Sequence, residues 1–130
     1  MRASTERDIE AVFASLVQLR LGGLVIAADP FFGSRIEQIA ALAVRHSVPT
    51  ISQFRAFAAA GGLAAYGGNI DEQYRQAGNY AGRILKGEKA ADLPVQQVMR
   101  VELFINRRTA KSLRLAIPNS LLVRADEIIE

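Results

Sequence analysis

The 130 residues are half hydrophobic and 22% charged, with a formal net charge of +3. That is enough chain for one compact unit with a core, and too apolar for wholesale disorder. The basic residues are scattered, with Arg107-Arg108 the only adjacent pair, which argues against a nucleic-acid partner. Cysteine is absent, excluding disulfides and thiolate chemistry, and a lone histidine argues against a transition-metal site.

No segment approaches the ~20 apolar residues of a membrane helix. The polar start MRASTERDIE lacks a signal-peptide core, so the expectation, taking the start literally, is a chain that begins directly with folded structure. The first helix is predicted over residues 6–21, with Thr5 and Asp8 spaced as a capping box. Ile9, Val12, Phe13, Leu16 and Val17 form its apolar face, and Gly22-Gly23 ends it. Residues 24–28 are a continuous apolar run, the pattern of a strand buried on both faces. Asp29-Pro30 stops that strand, and a loop carries Phe31, Phe32 and Gly33.

A second helix starts at Ser34, which can cap, with Glu37 three residues on, and His46 lies in its last turn. Residues 49–52 read as a short strand, QFRAFAAAGG as a short helix, and residues 63–66 as a third strand. The helix over 71–86 has Tyr74, Ala77, Ala81, Ile84 and Leu85 on one face. Ala77, Gly78, Ala81 and Gly82 make that face small, and glycine costs a helix about 0.5–1 kcal/mol relative to alanine. Close packing against a sheet or helix is the expected compensation. An extended connector covers 88–97, and 98–105 alternates as a half-exposed strand with Met99, Val101, Leu103 and Ile105 on one side. Asn106 caps a short helix through Leu113. Pro118 breaks the chain before a last helix that starts at Asn119 or Ser120 and ends at Glu130. Strands alternate with helices, so the fold class is α/β, a largely parallel sheet flanked by helices.

No motif carries catalysis. There is no GxxxxGK[ST], GxGxxG or GxSxG, and one histidine leaves little for a triad. Asp29 sits where a phospho-acceptor could, without the further acids that hold magnesium. The expectation is a non-enzyme with no catalytic residue, no metal and no cofactor. Binding fits better, because aromatic and small residues gather after successive strands, and in a parallel sheet those loops share one edge. Asp29, Phe31, Phe32, Arg55, Phe57, Tyr66 and Asn69 are the candidate ligand contacts. Arg55 suits a carboxylate, Asp29 an ammonium, the aromatics apolar contact and Asn69 an amide hydrogen bond. Singly, each aromatic also fits core filling, Asp29 a turn and Arg55 a solvated helix position; the reading rests on their convergence.

Four stretches carry a family resemblance: LVIAADPFFGSRIEQIAALAVRHSVPTI, AAAGGLAAYG, GRILKGEKAADLPV and VELFINRRTAKSLRLAIPNSLLVRADEIIE. From about Thr5 onward the chain resembles the C-terminal part of ABC-transporter substrate-binding proteins whose characterised relatives bind aromatic amino acids. The resemblance implies a partial type I periplasmic-binding-protein architecture, Rossmann-like, in which two α/β lobes close over a solute. By analogy residues 24–62 are C-terminal-lobe-like, 63–93 N-terminal-lobe-like, and 94–130 a hinge crossing with terminal helices. It implies a small-molecule solute such as an amino acid or carboxylate, a membrane permease as partner, and periplasmic location in place of the cytoplasmic one that a start at Met1 would give. Family members are more than twice as long, so apolar surface uncovered here points to a homodimer. The alternatives are a self-associating interaction module without ligand, and a small effector-sensing regulatory domain.

Overall fold

The computed structural model describes residues 3–96 and 100–130. The chain folds into two units, residues 1–67 with 102–130, and residues 68–101. The first unit opens with α1 (Glu6–Gln18). Its capping box is complete: Asp8 N–H donates to Thr5 Oγ1, and Thr5 N–H donates to the Asp8 carboxylate at 2.8 Å. Ile9, Phe13 and Leu16 are buried, as the helical spacing requires.

The strand that follows, β1 (Leu24–Val25), is shorter than the apolar run, although Ile26 N–H still donates to Ile51 O at 3.0 Å. It is not buried on both faces. It is the outermost strand, and Val25 is 77% exposed. The next helix begins earlier than predicted. Asp29, not Ser34, caps α2 (Pro30–Ser34) by accepting from Phe31 N–H at 2.8 Å, with proline at the first helical position where its missing N–H costs nothing. α3 (Ile36–Arg45) follows after a break at Arg35 and ends at His46, whose ring stacks on Phe13 at 6.0 Å.

β2 (Thr50–Ser52), α4 (Arg55–Ala59) and β3 (Ala64–Gly68) complete the run of parallel strands. Leu24 pairs with Thr50 and Ile51 with Ala64, both in parallel register. β4 (Val101–Asn106) adds on the far side of β3, with Asn106 N–H donating to Leu63 O at 2.9 Å, so the end of β4 meets the start of β3. Val98 and Met99 of the predicted strand lie outside the described residues. α6 (Arg107–Ser112) is capped by Asn106, as the sequence predicts, and Thr109 N–H donates to its side-chain oxygen at 3.0 Å. The predicted last helix is a correction. α7 (Asn119–Leu122) is one turn long, and Glu127–Ile129 form β5, parallel to β4 with Ile105 opposite Ile128. The β-branched Ile128-Ile129 pair gains more as a sheet edge over Phe104 than as further helix, and Ile129 packs on that cluster. The five strands lie in the order β1-β2-β3-β4-β5.

The main core joins α1, α3 and α4 to one face of this sheet through Phe13, Leu16, Ile39, Leu42 and Phe57. A smaller cluster of Ala58, Ala65 and Phe104 continues it toward β4.

The second unit is built on α5 (Ile70–Leu85). Asn69 Oδ1 accepts from the N–H groups of Asp71 (3.1 Å) and Glu72 (3.2 Å), and Asp71 and Glu72 suit the positive helix end. Tyr80 O–H donates to Pro94 O at 2.6 Å, and Arg83 pairs with Glu88. The close packing expected of its small face is not there. No residue of α5 is buried, Tyr74 is 71% and Leu85 87% exposed, and a Cβ at Gly78 or Gly82 would meet open space.

Candidate functional site

Because β1, β2 and β3 run parallel, their carboxyl ends lie on one edge, where open α/β sheets bind ligands. Contacts between the loops confirm that they gather. A Cβ at Gly33, after β1, would lie 3.5 Å from the Phe54 ring, after β2. A Cβ at Gly67, in β3, would lie 2.3 Å from the Gln53 carbonyl oxygen, so only glycine lets β3 pass this close to the second loop.

The first loop presents Asp29, Phe31 and Phe32. The Asp29 carboxylate is exposed, with Oδ1 engaged by Phe31 N–H. Phe31 and Phe32 are half-buried, tilted against each other with centroids 5.6 Å apart, and rest on the main core. Each is therefore a core anchor that stays partly exposed. The second loop supplies Phe54, half-buried against Gly33, and Arg55. Tyr66 stands on β3 and is 58% exposed, an unusual degree for a tyrosine within a strand.

Arg55 is not free. Its Nη2 donates to Glu127 Oε1 at 2.9 Å and Oε2 at 2.7 Å, its Nε to Oε2 at 3.2 Å, and its guanidinium lies 5.4 Å from the Phe104 ring centroid. The hydrogen bonds to Glu127 hold the arginine above its usual value, so it is a fixed cation. Any solute carboxylate at Arg55 shares it with Glu127 or displaces Glu127. The bidentate pair ties the second loop to the start of β5 and makes Glu127 part of this edge.

Phe57 is a correction. Its ring is 0% exposed beneath α4, and a Cβ at Gly62 would fall 2.1 Å from it, so it cannot touch a solute. The alternation of Phe54 and Phe57 around Arg55 conceals that one ring faces the edge and the other the core. Asn69 belongs to the second unit, where its side-chain oxygen is used to cap α5. Glu127 escapes sequence reasoning because the sequence predicts helix there, and no local signal pairs it with Arg55. Phe54 and Gly67 are visible in the sequence as loop residues, with nothing to single them out. Among the described residues no group of three His, Cys, Asp or Glu is placed to hold a metal, and no helix is long and apolar enough to cross a membrane.

Residues 1–129 match the family model described as ABC transporter substrate binding protein. The chain belongs to that family. A curated relative, the tyrosine-binding protein of Clostridioides difficile (strain R20291), is 26% identical to this family member over 127 residues, 95% of this chain and 36% of the relative. Two solved structures share the fold. A conserved domain protein from Vibrio cholerae O1 biovar El Tor is 23% identical with a TM-score of 0.85, covering 97% of this chain and 42% of that one. An ABC domain from Streptococcus pneumoniae, solved with L-Trp, is 23% identical with a TM-score of 0.82, covering 95% and 42%. This substrate-binding-family chain thus spans about two fifths of each. Its mostly parallel five-stranded sheet is the fold that the resemblance implied.

Proposed function

We propose that the chain carries one wall of the solute cleft of an ABC importer's binding protein, with an aromatic amino acid as solute. The observation that carries this reading is an edge of exposed or half-buried aromatics beside the Asp29 carboxylate and a fixed cation, Arg55, that Glu127 holds in place, in a chain of this family. Phe31, Phe32 and Tyr66 supply flat apolar contact, Asp29 attracts the α-ammonium, and Arg55 offers a guanidinium to the α-carboxylate. The relatives named for tyrosine and solved with L-Trp support the choice of solute class.

Residues 68–101 then correspond to the part that returns to the other lobe, with β3 and β4 as hinge strands, as the division into two units suggests. Delivery to a membrane permease and work outside the cytoplasm follow from this reading, and none of these roles requires the chain to be an enzyme.

Titrating the labelled chain with L-tryptophan, L-tyrosine and L-alanine tests it by amide chemical shifts. Shifts at 29–34, 53–55 and 66–67 that saturate with the aromatic solutes and not with L-alanine are expected. Saturation without movement in those segments, or equal response to L-alanine, defeats the reading.

The exposed α5 face favours a second element, self-association. Ile70, Tyr74, Ile84 and Leu85 are all more than a third exposed along one side of a helix whose small residues admit close approach. A homodimer burying that face is expected by light scattering at micromolar concentration, reduced to monomer by Leu85→Glu. A monomeric mass for the unaltered chain rules it out.

A further inference from the structure

We propose that the first unit carries another small-molecule site, apart from the solute edge, that takes an aliphatic carboxylate. It lies around α6, at the opposite end of the sheet. Asn106, which caps α6, bonds to Leu63 just before β3 begins, whereas the solute loops follow the carboxyl ends of β1 to β3. Two further bonds pin the helix there: Asn106 Nδ2 donates to Ala58 O at 3.0 Å and Thr109 Oγ1 to Gly61 O at 2.8 Å. These bonds bury Thr109 and Ala110 and leave Arg107, Arg108 and Lys111 exposed on the same short helix.

The three cations border a cavity of about 560 Å³, within the usual range for small-molecule sites. The rest of its lining is apolar, with Leu115, Ile117 and Leu122 beside Ala110, and Leu115 is 39% exposed. One carboxylate, Glu130, also borders it and pairs with Arg107 Nη1 at 3.0 Å. Among the described residues Arg108 and Lys111 have no ion-pair partner. The charge count excludes a cationic ligand, and Arg108 offers the forked donor geometry that carboxylates match. The apolar lining selects against small hydrated anions and for an anion with a hydrocarbon body. The Arg107–Glu130 pair is solvent-exposed and so weak, which lets a ligand carboxylate compete for Arg107 as well. Neither guanidinium of the adjacent basic pair is buried, and α6 is held by Asn106 and Thr109, so Arg108 is not needed to anchor the helix.

The probe is octanoate, titrated into the full chain by calorimetry, with acetate and octanol as controls. Saturable octanoate binding is expected, with acetate and octanol each about tenfold or more weaker, because one lacks the body and the other the charge. Arg108→Gln with Lys111→Gln is expected to weaken octanoate about tenfold or more, the size of one or two lost charge-assisted bonds. Leu115→Asp is expected to weaken it similarly through the apolar lining, and circular dichroism checks that each variant folds. Tyr66→Ala, at the solute edge, is expected to leave octanoate binding unchanged, so failure here is distinct from failure of the solute reading. No saturable binding, acetate equal to octanoate, or an unaffected double Gln variant overturns the proposal. So does binding only to phosphatidylglycerol vesicles without binding free octanoate, which makes the cations a membrane contact instead.

Discussion

Gly62 lies hard against the Phe57 ring, and Gly62→Ala tests that packing. The new Cβ would lie 2.1, 2.3 and 2.5 Å from three carbons of the ring. Carbon atoms normally meet at about 3.5–4.0 Å, so the ring must retreat by roughly 1.5 Å. It has no room to do so, being 0% exposed within the main core. Overpacking of this kind costs about 1–3 kcal/mol. Two effects oppose each other, since Gly62 is not in the left-handed region and alanine there also gains about 0.4–1 kcal/mol by stiffening the unfolded chain. The clash wins, leaving a net loss of about 1–2 kcal/mol, or roughly 1 M in urea midpoint for a domain of this size. Phe57→Leu removes the ring carbons that clash and costs about 1–1.5 kcal/mol by itself. The double variant is then expected to be about 0.4–1 kcal/mol more stable than Phe57→Leu alone, because only the unfolded-chain gain remains, a coupling of about 1–3 kcal/mol. Urea unfolding of the four proteins by circular dichroism measures this cycle. Additivity within about 0.5 kcal/mol, or an unchanged midpoint for Gly62→Ala, refutes the packing argument.

Glu127→Gln releases Arg55, so affinity for L-tryptophan is expected to rise by up to about fivefold, the equivalent of an exposed ion pair worth at most ~1 kcal/mol; unchanged or weaker binding removes Arg55 as the carboxylate partner. Arg114 holds a φ of 55°, in the region that favours glycine, and Arg114→Gly is expected to stabilise by about 1 kcal/mol and raise Tm by a few degrees; a lower Tm would mean the arginine side chain contributes more than its backbone costs. N–H groups of Ser4 and Thr5 and the Thr5 hydroxyl hold the Asp8 carboxyl below its ordinary 3.8. Its contribution to stability is therefore complete above about pH 3.8 and lost as pH falls through the lowered folded value, and Asp8→Asn is expected to flatten the acid limb of a Tm-against-pH curve below that point.

Local signals are legible wherever a single helix turn or strand decides the outcome. Thr5 with Asp8, and Asn106, cap as their spacing requires, and the βαβ alternation is enough for a mostly parallel sheet. Signals fail where a distant partner decides. Asp29 looks like a strand stop and ligand acid, yet its oxygen serves a helix start that Pro30 makes cheap. Glu127 and Ile129 become a strand only because β4 offers an edge beside Phe104. Phe54 and Phe57 have equal apolarity and sit three residues apart, but α4 is a single short helix with one side on the core, so their fates diverge. The small face of α5 has the composition of a packing surface, and the open space beside Gly78 and Gly82 shows that composition alone does not supply the partner.

The strand order carries a kinetic consequence. β1, β2 and β3 come from one continuous stretch and pair with their sequence neighbours, while β4 reaches β3 only after the chain from Gly68 to Val101 has been looped out. Closing a loop of that length costs about 3 kcal/mol in chain entropy, before any contact across the seam repays it. The seam's compensation is concentrated at one end, in Phe104, Ile105 and the Asn106 bonds to Leu63 and Ala58. The amides of β4 and β5 are therefore expected to exchange with solvent before those of the central strands β2 and β3 in native-state hydrogen exchange. Sub-global opening begins at the β3–β4 boundary, with the first three strands still assembled.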